Sequence, residues 1–516
     1  MTSAAPDWPL VFGTAGLRGP MREGPGGMNI AQVTRASWAV AQVLAARGMD
    51  GGTVVVGRDA RHHSTDFALA TAETFAAQGF SVILLPDPLP TPVVAFAVRT
   101  LNAAAGVQIT ASHNPATDNG YKVYFDGGMQ IVSPTDREIE AAMAAAPPAE
   151  QIARHPVMPA DTELVWRYID RAASVRYGRD AARVALTALH GVGGETALEV
   201  LRRAGFDDVH TVAEQFEPDP DFPTVAFPNP EEPGAGDLVL ALAADIDADV
   251  AIALDPDADR CAVGIPTPAG WRMLSGNETG WLLGDYILSQ VDAGTVAAHS
   301  VVASSVVSSQ MLAAIAADFG AVHVETLTGF KWLARADADL PGHTLIYAYE
   351  EAIGHCVDPS AVRDKDGISA AVLVCDLTAT LKAQGRNMTD ALDTLARRHG
   401  VHQTSAVTAH TDDAAQVMTR LRDDPPTHIG EFGVAVTDLL QRGERDRTDC
   451  LVYTGSDAQT SLRVAVRPSG TEPKIKCYIE IRVAAQDDLD SARAQAREVL
   501  RAVEADTAEL VQRGPN

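Results

Sequence analysis

The chain has 516 residues and a formal net charge of −27 at pH 7, from 41 Lys and Arg against 68 Asp and Glu. With 46% hydrophobic and 21% charged residues it reads as globular, and a length allowance of roughly 100–200 residues per domain predicts three to five domains. The acidity excludes a non-specific nucleic-acid binder or a binder of anionic membranes, both of which need a basic surface; it leaves small phosphorylated ligands open, because a few local cations can hold them.

The N-terminus lacks a basic start followed by an apolar run, so no secretory signal is expected. No apolar stretch of about 18 residues occurs, and the chain is expected to be soluble and cytoplasmic. Five widely spaced cysteines, Cys261, Cys356, Cys375, Cys450 and Cys477, form no Cys-x-x-Cys pair. Buried thiols in a reducing compartment are expected rather than a zinc cluster or a disulfide framework.

From the N-terminus onward, short β-rich runs alternate with amphipathic ones. Strands are expected at 53–56, 80–85 and 106–110, with helices at 64–78 and 91–101. The alternation returns with strands at 183–189, 209–212 and 250–254 and helices at 195–204 and 237–246. A third round has strands at 301–305, 322–325 and 344–349 and a helix at 307–319. Such alternation predicts βαβ crossovers and mixed, largely parallel sheets. Linkers are expected at 144–159, 271–275 and 384–400, and 218–234 reads as a long polar loop. The last quarter differs, with strands at 460–466 and 475–483 and a helix from 487 to about 504, as in a smaller α+β domain. Domain bounds of 1–155, 156–272, 273–397 and 398–516 follow.

Each α/β segment runs a strand into a chemically unusual loop, where ligands of open α/β sheets bind. Thr110-Ala-Ser-His-Asn-Pro115 is the first. A serine such as Ser112 most often caps a helix or forms a turn. A Ser-His hydrolase is disfavoured, because adjacent Ser112 and His113 are not expected to hydrogen-bond and no Gly-x-Ser-x-Gly elbow exists. A phosphate-carrying serine is the third reading.

The second loop is Asp255-Pro-Asp-Ala-Asp-Arg260. Carboxylates at alternating positions can converge on one hard cation. An EF-hand is ruled out, because Arg260 and Pro266 stand where Gly and Glu are needed. A solvated acidic turn is the rival, but the apolar run 250–254 places the carboxylates at a strand end. The third loop carries Glu350 and Glu351, able to accept hydrogen bonds from sugar hydroxyls or to do acid–base work. Lys365 precedes an amphipathic helix, where a surface lysine is the plain alternative.

Arg467-Pro-Ser-Gly-Thr-Glu-Pro-Lys474 joins two expected strands and combines hydroxyls, cations and a glycine, as a phosphate-binding turn needs. An ordinary hairpin loop is the rival. Neither a Walker A motif nor a full Gly-x-Gly-x-x-Gly fingerprint occurs.

Together these loops, with Phe12-Gly-Thr-Ala-Gly-Leu-Arg-Gly19 ahead of them, resemble the α-D-phosphohexomutase superfamily along essentially the whole chain. Asn119-Gly-Tyr-Lys122 and Thr326-Leu-Thr-Gly-Phe-Lys331 look closest to its phosphoglucomutase-2/phosphopentomutase-like branch. The resemblance implies three related α/β domains with mixed sheets plus a C-terminal TBP-like α+β domain around a central cleft. It implies a phosphorylated Ser112 and Mg²⁺ held by Asp255, Asp257, Asp259 and a phosphoserine oxygen. Arg18, His113 and Lys122 would flank the phosphoryl group, and Lys365 would be a general acid or base. Arg260, Thr328, Gly329, Lys331, Glu350 and Ala352 would contact the sugar phosphate. Arg467, Ser469, Gly470, Thr471 and Lys474 would grip the non-transferring phosphate.

The activity implied is a phosphoryl shift between C1 and C6 of glucose or mannose phosphate, with a sugar 1,6-bisphosphate as intermediate and activator. Ala352 departs from the Glu-x-Ser of many hexose enzymes and leaves a pentose phosphate open. A bisphosphate synthase and an inactive sugar-phosphate binder also stay open. Small-molecule sugar phosphates are the expected partners, without nucleic acid or membrane, and the oligomeric state is left open. The cations of these loops are expected to form a cationic pocket in an acidic body.

Overall fold

A computed structural model describes residues 10–13, 16–291, 298–411, 413–443, 446–469, 474–484 and 488–512. The chain divides into two compact units. One comprises residues 1–279, 329–335 and 345–385; the other comprises 280–328, 336–344 and 386–516.

The first unit contains two mixed sheets. In one, Thr53–Arg58 pairs in parallel with Ser81–Leu84 and Ala105–Ile109, and the antiparallel strands Asp118–Phe125 and Leu17–Pro20 complete the far side. The central strands are largely apolar, with Gln108 the buried polar exception in Ala105–Ile109, and their middles are buried, as strands covered on both faces must be. Helices Ile30–Ala46, Ser64–Ala77 and Thr91–Leu101 do the covering, and Val33, Val40, Leu44, Phe67 and Phe75 join Val54, Val56, Val107 and Ile109 in one core. The other sheet runs Gly270–Met273, Cys261–Thr267, Val250–Leu254, Val184–Thr187, Val209–Thr211, the last three parallel. Helix Gly367–Ala383 is almost wholly buried, and the Asp366 side chain caps its first turn by accepting from the Ile368 and Ser369 amides.

In the second unit Ser300–Ser305 pairs in parallel with Val322–Thr326. Its C-terminal part is an antiparallel sheet in the order Val401–His410, Lys474–Val483, Thr460–Pro468, Leu451–Ser456, Ala435–Asp438. Helix Leu489–Gln512 buries Leu489, Ala492, Ala496, Leu500, Val503 and Val511 in the core of that sheet.

The fold is α/β with an additional C-terminal sheet domain, as expected. The helix Thr91–Leu101 and the strand Val250–Leu254 have the bounds read from the sequence. Two expected linkers are structured. Trp271–Met273 lies in a strand whose Trp271 faces Pro266 across the hairpin. Within 384–400, Asn387 and Asp390 form a reciprocal cap that starts helix Met388–His399. The helix expected from 307 begins only at Met311, because Ser308 turns back to the Ser305 carbonyl. All five cysteines are free and buried. Among the described residues no helix is long and apolar enough to cross a membrane.

Candidate active site

The site in the first unit is built where strands end. Strand Ala105–Ile109 is fully buried and delivers the loop bearing Ser112, after which Asp118–Phe125 returns antiparallel and sets Lys122 opposite Gln108. Ser112 has φ +53°, a left-handed conformation that costs a non-glycine residue on the order of 1–3 kcal/mol. Its amide donates to Thr110 Oγ1 at 2.8 Å. The turn aims Oγ at Asp255, to whose Oδ2 it donates at 2.9 Å, and leaves it 3.2 Å from His113 Nδ1. Adjacent Ser and His therefore do make contact, against expectation, because the left-handed turn folds both side chains to one side. Burial, then the Arg260 and Arg18 cations, hold the His113 imidazole well below its usual pKa, so it stays neutral.

The loop Asp255–Arg260 leaves the buried strand Val250–Leu254 and is stitched in by backbone bonds. Val192 N–H donates to the Pro256 carbonyl at 2.8 Å, Thr91 N–H to that of Asp257 at 2.9 Å, and Gly367 N–H to that of Ala258 at 3.2 Å. A Cβ on Gly367 would stand 2.3 Å from the Arg260 carbonyl, so only glycine fits there. Asp255, Asp257 and Asp259 are completely buried, and their ligand oxygens lie within 4.8 Å of one another. Lys122 Nζ, itself fully buried, reaches Asp257 Oδ2 at 2.6 Å and Asp259 Oδ2 at 2.7 Å. Asp257 Oδ1 and Asp259 Oδ1 are buried without a hydrogen-bond partner.

Two orphaned carboxylate oxygens in an all-oxygen cluster fit a hard divalent cation, since buried polar atoms otherwise find partners. Burial and the two neighbouring carboxylates raise Asp255 well above the carboxylate range. Burial pushes Asp257 in the same direction, but the Lys122 ammonium outweighs it and holds this carboxyl low.

Strands Thr344–Glu350 and Gly354–Cys356 bring Glu350 opposite Gly354, and Gly354 bridges to Arg260. The sugar-type loop and the acidic loop are thus joined through backbone. A Cβ on Gly354 would strike Lys365 Cδ at 2.4 Å and approach Glu350 Cγ at 3.0 Å. Burial raises Glu350 to about 7, opposed in part by Lys365.

Lys365 is not a surface lysine: it is 5% exposed, with Nζ 3.0 Å from Asp259 Oδ2 and 5.6 Å from the Phe330 ring centroid. Burial would lower its pKa, but Asp259, Asp364 and Glu350 prevail and keep it protonated. Asp364 Oδ2 accepts from Tyr124 Oη at 3.0 Å and Gln130 Nε2 at 2.7 Å, and Asp366 Oδ1 from Tyr168 Oη at 2.8 Å. These anchors on either side of Lys365 escaped the sequence reading. Only the Asp-Lys-Asp spacing hinted at them, because their partners lie more than 190 positions away.

Arg18 sits opposite Gly120, donates from Nη1 to Asn114 Oδ1 at 3.3 Å and keeps a buried Nε without a partner. Arg260 Nε is likewise unpartnered, 3.9 Å from Asp255 Oδ2. Lys331 is half-buried in the short turn Phe330–Leu333 after Gly329, and Ala352 lies in the turn between the strands Thr344–Glu350 and Gly354–Cys356. Arg18, Lys122, Arg260 and Lys365 thus face Asp255, Asp257, Asp259 and Glu350. By formal charge these four cations and four carboxylates balance, and the raised Asp255 and Glu350 shift the group toward positive.

Thr328 and the turn after Thr460–Pro468 belong to the second unit. Ser469 N–H donates to the Lys474 carbonyl at 2.8 Å and closes the base of that turn, with Arg467 opposite Lys476. Gly470 and Thr471 lie outside the described residues, as do Thr14 and Ala15 of the N-terminal motif.

Comparison with known proteins gives a consistent picture. Three phosphoglucomutase/phosphomannomutase α/β/α domain families match in order: domain I over residues 9–150, domain II over 167–267 and domain III over 275–399. A probable phosphomannomutase of Haemophilus influenzae is 40% identical over 92% of this chain and 97% of its own length. A phosphopentomutase of Mus musculus is 34% identical over 92% of this chain and 84% of its own. The crystal structure of a putative phosphomannomutase from Thermus thermophilus shares the fold, with a TM-score of 0.74 and 24% identity over 98% of this chain and all of that one.

Proposed function

Since the chain belongs to the α-D-phosphohexomutase superfamily and is an intramolecular phosphotransferase, we propose that it moves a phosphoryl group between C1 and C6 of a hexose phosphate through phosphorylated Ser112 and a sugar 1,6-bisphosphate. The observation that carries this reading is the Ser112 hydroxyl at 2.9 Å from Asp255, beside two orphaned carboxylate oxygens.

Mg²⁺ is the proposed ion of Asp255, Asp257 and Asp259, and when bound it polarises phosphoryl oxygens as a Lewis acid. Arg18, Lys122, His113 and Arg260 surround Ser112 with donors for a transferring phosphoryl group, whose charge is spread over three oxygens. Phosphoserine 112 gives its phosphoryl group to a free sugar hydroxyl. The bisphosphate then turns and returns its other phosphoryl group to Ser112. In the first step the proton released by the sugar hydroxyl is taken up by the departing Ser112 oxygen. In the return step the sugar oxygen gains a proton, which protonated Lys365 can supply, and the Ser112 proton passes to neutral His113 Nδ1, 3.2 Å away. The resulting imidazolium and lysine amine are reset by proton exchange with solvent. Glu350, Ala352, Lys331, Gly329 and Thr328 are proposed to meet the sugar. Arg467, Ser469, Gly470, Thr471 and Lys474 are proposed to hold the phosphate that stays.

A second reading, ribose or deoxyribose phosphate as substrate, is favoured by Ala352 in place of a hydroxyl-bearing residue and by the phosphopentomutase relative. The test is turnover with glucose, mannose and ribose 1-phosphates, each with its bisphosphate. Fastest turnover on a hexose supports the first reading, and fastest turnover on ribose replaces it with the second.

A further inference from the structure

Helix Ser64–Ala77 is preceded by Gly57-Arg-Asp-Ala-Arg61, which none of the chemistry above uses. Arg61 is 4% exposed, and its guanidinium is turned to backbone carbonyls. Nη2 donates to the carbonyls of Ser112 and Asn114, both at 2.6 Å, and Nη1 to those of Pro115 at 2.8 Å and Asp118 at 3.2 Å. Four carbonyls of one loop thus converge on one side chain. From behind, Asp59 Oδ2 stands 3.4 Å from Nε, while Asp59 Oδ1 accepts from the Arg61 amide at 3.0 Å and from Ser64 Oγ at 2.6 Å. Ser64 Oγ in turn accepts from Asn119 Nδ2 at 2.9 Å, tying the clamp to the strand that follows the loop. The Phe222 ring, from the long polar loop 218–234, lies 5.0 Å from the guanidinium carbon.

We infer that Arg61 is a positioning residue whose guanidinium, covered by Phe222, locks the Ser112 loop in the left-handed turn that aims Oγ at the aspartate cluster. The inference rests on the reading of Ser112 as the phosphoryl carrier. A non-glycine residue holds a positive φ only where its surroundings over-determine it, and the Ser112 carbonyl is itself one of the four groups gripped. The fork geometry is required, because a planar guanidinium offers several fixed donors whereas a lysine ammonium is a single point. Phe222 keeps water from competing for the carbonyls and stacks on the cation.

The test is Arg61→Lys in the full-length enzyme. Turnover is read with glucose 1-phosphate and ribose 1-phosphate plus their bisphosphates, and amide hydrogen exchange over residues 110–118. The expected result is a fall in kcat of about 10²-fold, the loss a displacement of ~1 Å brings, with KM changed less than about threefold. Exchange in the loop should rise while the Val250–Leu254 strand stays protected. Wild-type kcat, or unchanged loop exchange in a folded variant, overturns the inference. If Arg61→Lys does not fold, Phe222→Ala decides: it should raise exchange in 110–118 selectively and lower kcat by a smaller factor, and no change in either contradicts the clamp. Ser112→Ala run alongside separates the two claims. Full activity there removes the phosphoserine reading, while loop exchange in Arg61→Lys still tests the clamp on its own.

Discussion

The loop Asp255–Arg260 and the turn that runs from Arg467 to Lys474 both combine charged residues at strand ends, the first in the first unit and the other in the second. The first is buried, bonded through backbone to Val192, Thr91 and Gly367, and paired with Lys122 and Lys365 from distant segments. Among the described residues of the second, Ser469 N–H donates to the Lys474 carbonyl across the hairpin, next to the paired residues Pro468 and Ile475. Chemistry on a phosphoryl group needs its donors and acceptors fixed to a fraction of an ångström, and the first loop has that support. Gripping a phosphate that does not react requires charge and hydroxyls more than fixed geometry.

Substitutions should therefore divide into losses of rate and losses of affinity. The largest effect is expected from Ser112→Ala, with turnover falling by about 10³-fold or more, as when the group that carries the phosphoryl is removed. Asp257→Asn comes next: turnover should fall about 10²-fold and the Mg²⁺ concentration for half-activation should rise, because a ligand charge is lost. Stripping metal with a chelator should abolish turnover in the wild type and Mg²⁺ should restore it. An Mg²⁺ requirement unaltered in Asp257→Asn would count against the acidic cluster as the metal site.

Asp364→Asn is expected to cost roughly 10-fold in kcat, since the carboxylate that anchors Lys365 through Tyr124 and Gln130 loses a charge. Arg467→Ala should instead raise KM by about 10-fold with a smaller change in kcat, the scale of one charge-assisted hydrogen bond. A fall in kcat with KM untouched would erase the contrast drawn between the two loops.

The smallest change in turnover is expected at Asp366, whose signature is in stability. Burial raises its carboxyl from 3.8 to about 6. A raised carboxyl stabilises the fold fully below pH 3.8, and this contribution is lost as pH rises through about 6. The difference of roughly two pKa units corresponds to about 3 kcal/mol. Thermal unfolding of Asp366→Asn should lack this decline between pH 4 and 7. An identical pH profile in the wild type would refute the assignment.

Much of this site was legible in the sequence, because its loops follow strands whose apolar runs are plain. Val250–Leu254 announces a buried strand, and three alternating aspartates after it announce a cation site. Arg61 and Thr91 were not legible: each acts through a partner brought close only by the fold, and nothing in local spacing marks them; Asp364 was hinted at only by the Asp-Lys-Asp spacing. The contact between Ser112 and His113 was misread because a positive φ at a serine is set by surroundings rather than by propensity. The strands Asp118–Phe125 and Gly270–Met273 escaped for a related reason. Their glycines and polar residues weaken the β signal, and pairing with neighbours decides the matter.

The central claim is that Ser112 carries the phosphoryl group, and intact-mass measurement tests it most directly. After incubation with glucose 1,6-bisphosphate and Mg²⁺, the wild type should gain the mass of one phosphoryl group, mapped by peptide fragmentation to Ser112, and glucose 6-phosphate should remove it. Ser112→Ala should gain nothing. An equal gain in that variant, or a phosphoryl group on another residue, would contradict the account.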